Sequence, residues 1–362
     1  MQKSESMSSD SGIDRPRKVF IWSVKESHTT ARYFEKCIQK SGIEVVYKTY
    51  PDLSEIQSDD LVWFIDPSPT KWFEHYHLLP CPAFGYLIDT HLDSRYRALL
   101  VPFFDELFVA QKEAIEKEFS FTHAQWLPLA CDTQLFQKDR DLNPEWEVGF
   151  VGQWGDSSQA RHQFLKTIES QFRMNPQNRF YSPEEMAGVY RSSQIVVNHS
   201  VKGDLNMRVF EGMASGALLV TDQIGNGLES ILKDGVHCVL YRSSREAIEK
   251  INYYLQNPDA AEMIRKAGQE FILRHHTYLH RWEEVLQKWR TKRGAFSSSI
   301  RSESNPSRWN KMAKIAAAHG DPSEWWRYYR KIPWHADLWL EGMRALRRYR
   351  HHRKIKKTSR SE

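Results

Sequence analysis

The sequence predicts an α/β protein built from two successive parallel-sheet halves, and three observations carry that prediction. Short apolar runs alternate with stretches whose apolar residues recur every three or four positions, the layering expected of strands and helices in a parallel sheet. The alternation pauses at the polar, proline-bearing QKDRDLNPEWE (137–147) and then resumes, which marks a linker between domains. The 362 residues, 40% of them hydrophobic and 13% aromatic, suffice to fill two cores.

A polar leader (1–16) precedes the first half (17–140). Its strand candidates are KVFIWSV (18–24), EVVYKTY (44–50), LVWFID (61–66), PAFGYLID (82–89), ELFVA (106–110) and AQWLPL (124–129). Between the first two lies TARYFEKCIQKSG (30–42), where Ala31, Phe34 and Ile38 share a helical face and Gly42 ends the pattern. The second half (141–290) opens with VGFVGQ (148–153), a strand running into a glycine turn. There follow a helix at 160–172, a short strand NRFYS (178–182), a helix opened by Pro183 and a strand QIVVNHS (194–200). In GDLNMRVFEGMASGALLVTD (203–222), Met207, Phe210 and Ala214 share one helical face and Arg208 and Glu211 another. Gly216 sits where that helix stops, and 217–220 is apolar like a strand covered on both faces. A strand VHCVLY (236–241) and helices at 245–257, 259–276 and 281–289 complete the half. SSSIRSESNPS then breaks the order, and a tail (291–362) rich in Trp, Tyr and Arg follows.

Composition narrows the function. The leader lacks the apolar segment of a secretory signal and no apolar run reaches membrane-span length, so a cytoplasmic protein is expected, with peripheral attachment to a membrane or other anionic surface open to it. Cys37, Cys81, Cys131 and Cys238 are far apart and predict reduced, mostly buried thiols rather than a zinc site or disulfide framework. The overall charge of +5 is uneven. Residues 291–362 hold 18 Lys and Arg against 6 Asp and Glu, a surplus of 12, which leaves residues 1–290 at −7. The body therefore does not look like a nucleic-acid reader. Anionic membrane, nucleic acid and an acidic protein all fit the tail chemistry, as does a helix packed on the body with a solvated basic end.

Two α/β halves facing a cleft place a ligand at the carboxyl ends of strands. The 203–208 segment opens a helix, whose free backbone N–H groups seat an anion. Arg208 there would neutralise a phosphate, or else pair with Glu211 on an exposed face, with Asn206 a further candidate. Glu211 could accept two hydrogen bonds from a vicinal diol, or be a solvated helix glutamate. Asp204 is a second acid or the helix N-cap. Gly152, with Gln153, Trp154 and Gly155, forms a ligand-facing loop or a plain turn, and it lacks Gly-x-Gly-x-x-Gly spacing. Phe180 and Tyr181 could lie against a base or in the core. In the first half, YLIDTHLD (86–93) ends with Asp89, His91 and Asp93, placed for proton transfer to an acceptor or for helix capping, and His28 occupies another cleft-facing loop. The Asp139-Arg140-Asp141 triplet spells a metal-binding pattern but falls in the linker, so no metal is expected.

The series HSVKGDLNMRVFEGMASGALLVTD (199–222), LKDGVHCVLY (232–241) and the helices ending near Trp289 resembles the nucleotide-sugar-binding domain of GT-B glycosyltransferases. It is most similar to the CgeB-type branch, the spore maturation protein family. The resemblance covers 141–290 well and 17–140 only in layout. It implies two Rossmann-like domains facing a cleft, donor in the second and acceptor in the first. The implied reaction moves a sugar from a nucleotide diphosphate to an acceptor hydroxyl on a glycan, protein or small molecule, with retention. The nucleotide sugar is a co-substrate, and no other cofactor is expected. In such proteins the glutamate matching Glu211 holds the ribose hydroxyls. Another glutamate eight positions earlier contacts the sugar; here that position is Gly203, which leaves Asp204 to substitute. The rival class is a non-catalytic binding or assembly protein that keeps the fold and attaches through its basic tail.

Overall fold

A computed structural model describes residues 14–346 except 24–29, 49–52, 68–72, 92–93, 121, 138–142, 155–158, 178, 297–304, 320, 333–336, 341 and 345. His28, Asp93, the 139–141 triplet, Gly155, the start of the leader and the basic end beyond residue 346 lie outside the described residues.

The first sheet contains β1 (Lys18–Trp22), β2 (Glu44–Lys48), β3 (Leu61–Ile65), β4 (Ala83–Leu87), β5 (Glu106–Val109) and β6 (Gln125–Trp126), in the order β2-β1-β3-β4-β5-β6. Every pairing is parallel, with Val19 opposite both Val45 and Leu61. The order reverses beside β1, as in a Rossmann-like sheet. Helices α1 (Thr30–Lys40), α2 (Ser94–Ala98), α3 (Lys112–Lys117) and α4 (Thr133–Phe136) connect or follow these strands. β1, β3 and β4 are buried on both faces, which is why they read as continuous apolar runs rather than alternating ones.

The second sheet holds β7 (Trp146–Gly149), β8 (Ser193–Asn198), β9 (Leu218–Asp222) and β10 (Val239–Tyr241), again parallel and in the order β10-β9-β8-β7. Its helices are α5 (Gln159–Glu169), α6 (Pro183–Arg191), α7 (Met207–Ala214), α8 (Leu228–Ile231), α9 (Ser244–Gln256) and α10 (Pro258–His275). The strand expected at 178–182 is absent from its described residues, 179–182. Ser182 instead begins a capping box with Glu185 that starts α6, and the outer neighbour of β7 is a single bridge from Met174 to Val148. β7 therefore has a neighbour on each side, and the loop after it opens at a topological switch point. α7 ends as the glycine pattern predicts. Gly216 takes φ +81°, and the N–H groups of Gly216 and Ala217 return to Met213 and Gly212.

The chain then crosses back. Cys131 and Thr277 bridge in parallel where the two domains meet, and α11 (Tyr278–Ala295) packs on the first domain. The ring of Tyr278 lies 4.9 Å from that of Phe34, Trp282 lies 5.9 Å from Trp63, and the Trp289 indole donates to the Asp60 carbonyl at 3.1 Å. Residues 278–290, expected with the donor half, thus cover the first sheet. The tail does the same. From α12 (Asn305–His319) and α13 (Pro322–Tyr329), Met312, Ile315, Ala316 and Tyr328 enter the core that Phe20, Val62 and Phe64 form on the other face of that sheet. The described part of the tail is therefore a component of the first domain's core, not a free arm.

Candidate functional site

α7 is the centre of the site. Its N-cap is Asn206, whose side-chain oxygen accepts the Arg208 N–H at 3.1 Å, so the capping role weighed for Asp204 belongs to Asn206. Arg208 and Glu211 do not form the solvated pair of an exposed helix, because both are buried against the cleft. The Arg208 guanidinium lies 4.0 Å over the Phe150 ring, donates from Nη1 to Asn198 Oδ1 at 2.7 Å and from Nη2 to the Val151 carbonyl at 2.7 Å. Among the described residues no carboxylate comes within ion-pair distance of it, so a buried cation is fixed in place without a counter-ion. Gly152 makes room for it. Its φ of +148° suits glycine, and a Cβ there would collide with Arg208 Nη2.

Glu211, one turn further along, is 2% exposed, and its Oε1 is buried with no hydrogen-bond partner. Burial pushes its carboxyl up to about 8, with the nearby Arg208 opposing the rise and Asp132 adding to it. It is a carboxyl group held ready for hydrogen-bonding partners that the protein does not supply.

The first domain meets this wall at the end of β4. Asp89, in a left-handed conformation with φ +53°, and His91 face Asp204 of the second domain, with His91 Nδ1 3.8 Å from Asp204 Oδ1. Burial, then the charge of Asp204, raises the Asp89 carboxyl above its ordinary range; burial likewise raises Asp204, against the pull of its hydrogen bond from Gln111. Among the described residues, Asp89, His91 and Asp204 are the group whose ligand atoms, within 4.8 Å of one another, have the spacing to hold a metal ion. Gln111 organises the junction. Its Nε2 donates to Asp204 Oδ1 at 2.9 Å while its Oε1 accepts from Thr90 Oγ1 at 2.8 Å, so one buried amide ties the β4 loop to the segment before α7. Beside it, Asn226 accepts the Glu113 N–H at 3.2 Å and donates to the Gly203 carbonyl at 2.6 Å. Gly203 itself takes φ +74° in an open space.

Arg208, Glu211, Asp89, His91 and Asp204 border one cavity of about 400 Å³ between the domains, which also takes in Gln153, Asn206, Phe180 and Tyr181. Phe180 is 77% exposed at its edge, so it is neither core nor strand, while the Tyr181 hydroxyl is anchored on the Pro176 carbonyl. The cavity thus brings together Asp89, His91, Gln153, Phe180, Tyr181, Asp204, Asn206, Arg208 and Glu211, while Gly152 backs Arg208 from behind the lining and Trp154 and Gly203 stay outside it. Polar groups that escaped the sequence include Arg161, Tyr33 and Tyr190 in the lining and Gln111 beside it. Arg161 on α5 lines the cavity, donates to the His199 carbonyl at 2.8 Å, and is lowered to about 10 by burial and the neighbouring Arg208, still cationic at neutral pH. Arg161 follows the Gly152 loop at the start of a helix, the position from which a basic side chain reaches a switch-point ligand, and that was its available signal. Gln111 had none, since its partners come from distant segments.

Comparison with known proteins bears on what this geometry belongs to. Residues 134–287 match a family described as glycosyl transferase-like. Sucrose-phosphate synthase from Thermosynechococcus elongatus superposes with a TM-score of 0.57 at 11% identity, over 77% of this chain and 100% of that one. The fold is GT-B. HepE of Anabaena, solved in complex with UDP and glucose, superposes with a TM-score of 0.55 at 12% identity, over 76% of this chain and 100% of its own. No curated protein matches the chain in sequence. At such identities the likeness is one of fold, and within it α7 and the Gly152 loop belong to the second Rossmann-like domain.

Proposed function

We propose that this GT-B protein is a glycosyltransferase that moves a sugar from a nucleotide-diphosphate donor to an acceptor hydroxyl, and that its relatives lie in the CgeB-type branch. The observation that carries the reading is the pair on one turn of α7: a buried Arg208 without a carboxylate partner and a buried Glu211 without a hydrogen-bond partner, both facing the interdomain cavity. A nucleotide sugar meets both needs. Its diphosphate lies at the α7 N-terminus against Arg208, with Arg161 as a second cation, and its ribose diol donates to Glu211. Phe180 stacks on the base at the cavity edge. The donor sugar points toward Asp204, and Asp89 and His91 position the acceptor from the other domain.

In the reaction a bond forms between the acceptor oxygen and the anomeric carbon while the bond from that carbon to the leaving phosphate oxygen breaks. The charge developing on the diphosphate is met by Arg208 and the helix N-terminus. The proton of the acceptor passes to the departing phosphate oxygen in a retaining reaction, with Asp89 and His91 orienting the hydroxyl. No metal is needed for this route. The partners are a nucleotide-diphosphate sugar, an acceptor on a glycan, protein or small molecule, and an anionic surface or polyanion met by residues 300–362.

The test is a panel of UDP, GDP, dTDP, CDP and ADP sugars, scored for thermal stabilisation and slow hydrolysis with and without a chelator. One donor should stabilise the fold by about 2.7 kcal/mol at a hundredfold excess over its dissociation constant and be hydrolysed equally with chelator present. Stabilisation without hydrolysis would favour the non-catalytic binding protein, and loss of hydrolysis with chelator would place a metal on Asp89, His91 and Asp204.

A further inference from the structure

The outer face of the tail helices is unlike the rest of the surface. Trp325, Trp326, Tyr329 and Trp339 form one aromatic cluster, with ring centres 5.1 to 6.3 Å apart. Trp325 and Tyr329 are buried and anchor it, whereas Trp326 is 50% exposed, Trp339 37% and the adjacent Leu340 53%. An indole, a second indole and a leucine held in water by a buried ring stack are a costly surface unless something covers them. From residue 321 to residue 346 the charge is balanced, with Arg327, Arg330, Lys331 and Arg344 against Asp321, Glu324, Asp337 and Glu341. Arg330 and Arg344 are exposed and, among the described residues, make no ion pair, and the sequence adds eight more Lys and Arg from residue 347 to residue 360.

We propose that this patch docks the protein on an anionic lipid bilayer, with Trp326, Trp339 and Leu340 entering the headgroup region and Arg330 and Arg344 meeting the lipid phosphates. It rests on the reading that residues 300–362 meet an anionic partner, and it names that partner. Charge alone suits any polyanion, but half-exposed Trp and Leu beside it select an interface with an apolar layer beneath the charge, where indole rings settle. A duplex nucleic acid offers the charge without that layer. Attachment is peripheral, since among the described residues no helix is long and apolar enough to cross a membrane. α12 packs on α2, and its core residues belong to the first domain, which carries Asp89 and His91, so the docked half is the one proposed to present the acceptor.

The full-length protein should sediment with vesicles of phosphatidylcholine mixed with phosphatidylglycerol, weakly with phosphatidylcholine alone, and less as salt rises. The double variant Trp326→Glu, Leu340→Glu alters exposed side chains; it should keep the thermal midpoint and nucleotide-sugar affinity while vesicle affinity falls by about 10-fold or more. Retained vesicle binding in that variant would overturn the proposal. So would equal binding of wild type and variant to heparin or RNA that outcompetes the vesicles, which would identify a polyanion site. If the variant melts early, Trp326→Gln alone, with indole fluorescence followed on vesicle addition, decides in its place: a wild-type blue shift that persists undiminished in Trp326→Gln counts against the patch. Vesicle binding is measured without nucleotide, so its failure leaves the donor-site reading untouched.

Discussion

Glu211→Gln should turn a pH-dependent nucleotide affinity into a flat one. In the free protein burial raises this carboxyl from 4.5 to about 8, yet ribose hydroxyls donating to it favour the ionised form. Binding must then remove a proton. At about 1.36 kcal/mol per pH unit, ionisation costs roughly 2.7 kcal/mol at pH 6, roughly 1.4 kcal/mol at pH 7 and almost nothing at pH 9. Affinity for a nucleotide sugar, whose diphosphate diester does not titrate in this range, should rise about 100-fold from pH 6 to pH 9. Calorimetry in buffers of different ionisation enthalpy should register release of roughly 0.9 proton at pH 7. The Gln variant should bind about 1.5 to 3 kcal/mol more weakly than wild type at pH 9, for the lost charged hydrogen bonds, with no proton release. Stability gives an independent check with a definite sign. A folded-state value above the unfolded one contributes stability that is complete below pH 4.5 and lost as pH rises through about 8, so the Gln variant should out-melt wild type above that pH and match it in acid. A wild-type affinity flat between pH 6 and pH 9, or an identical pH profile in the variant, would refute the ribose assignment.

Four further outcomes follow from the same geometry. Gly152→Ala forces a side chain into a left-handed backbone against Arg208, so it should cost about 1 to 3 kcal/mol in melting and at least 10-fold in nucleotide affinity; a variant normal in both would show that the loop adapts. Asp89→Ala and His91→Ala should leave donor affinity nearly intact while transfer falls by roughly 100-fold, and a joint loss of both would put these residues on the donor side. Gln111→Ala strands Thr90 and Asp204 and should lower stability by about 1 to 3 kcal/mol, with Gln111→Glu worse because it sets a carboxylate against Asp204; equal melting of all three proteins would deny the amide its bridging role. Truncation at residue 300 strips Met312, Ile315 and Tyr328 from the first core at about 2 to 5 kcal/mol for each large buried side chain, so the product should lose cooperative melting by circular dichroism, and a truncated chain that melts like the full one would refute the packing.

The strands were legible because parallel strands buried on both faces leave uninterrupted apolar runs, as Leu61–Ile65 does, and α7 was legible because its apolar spacing and Gly216 agree. The strand read at 178–182 failed for a local reason. Phe180 and Tyr181 have strand propensity, but Ser182 and Glu185 cap a helix immediately afterwards, and the chain turns into α6 where a ladder would run. The tail was left open between a packed helix and an attachment arm because its charge lies in sequence beside apolar residues that enter the core: Met312, Ile315 and Ala316 in α12 sit between Lys311 and the Arg-rich end, and net charge hides a face. Site residues carried on one local element, Arg208, Glu211 and Gly152, could be found from spacing. Gln111 could not, because a neutral amide becomes informative only once Thr90 and Asp204 flank it.

The unmet needs of Arg208 and Glu211 constrain the ligand more tightly than either residue does alone. A buried guanidinium without a counter-ion and a buried carboxyl without a partner each cost free energy in the empty protein, and a chain under no functional demand would relieve both by pairing them or replacing them with apolar side chains. They are instead three positions apart on one helix, about 4.5 Å along its axis, with the guanidinium braced by Val151 and Asn198 rather than by the carboxyl. A simple anion would satisfy the first and repel the second once it ionised; a neutral polyol would do the reverse. What satisfies both is one molecule with a negative group and, a few ångströms away, hydroxyl donors. A nucleoside diphosphate has that combination, since its ribose diol lies close to its phosphates, and the proposed donor rests on it.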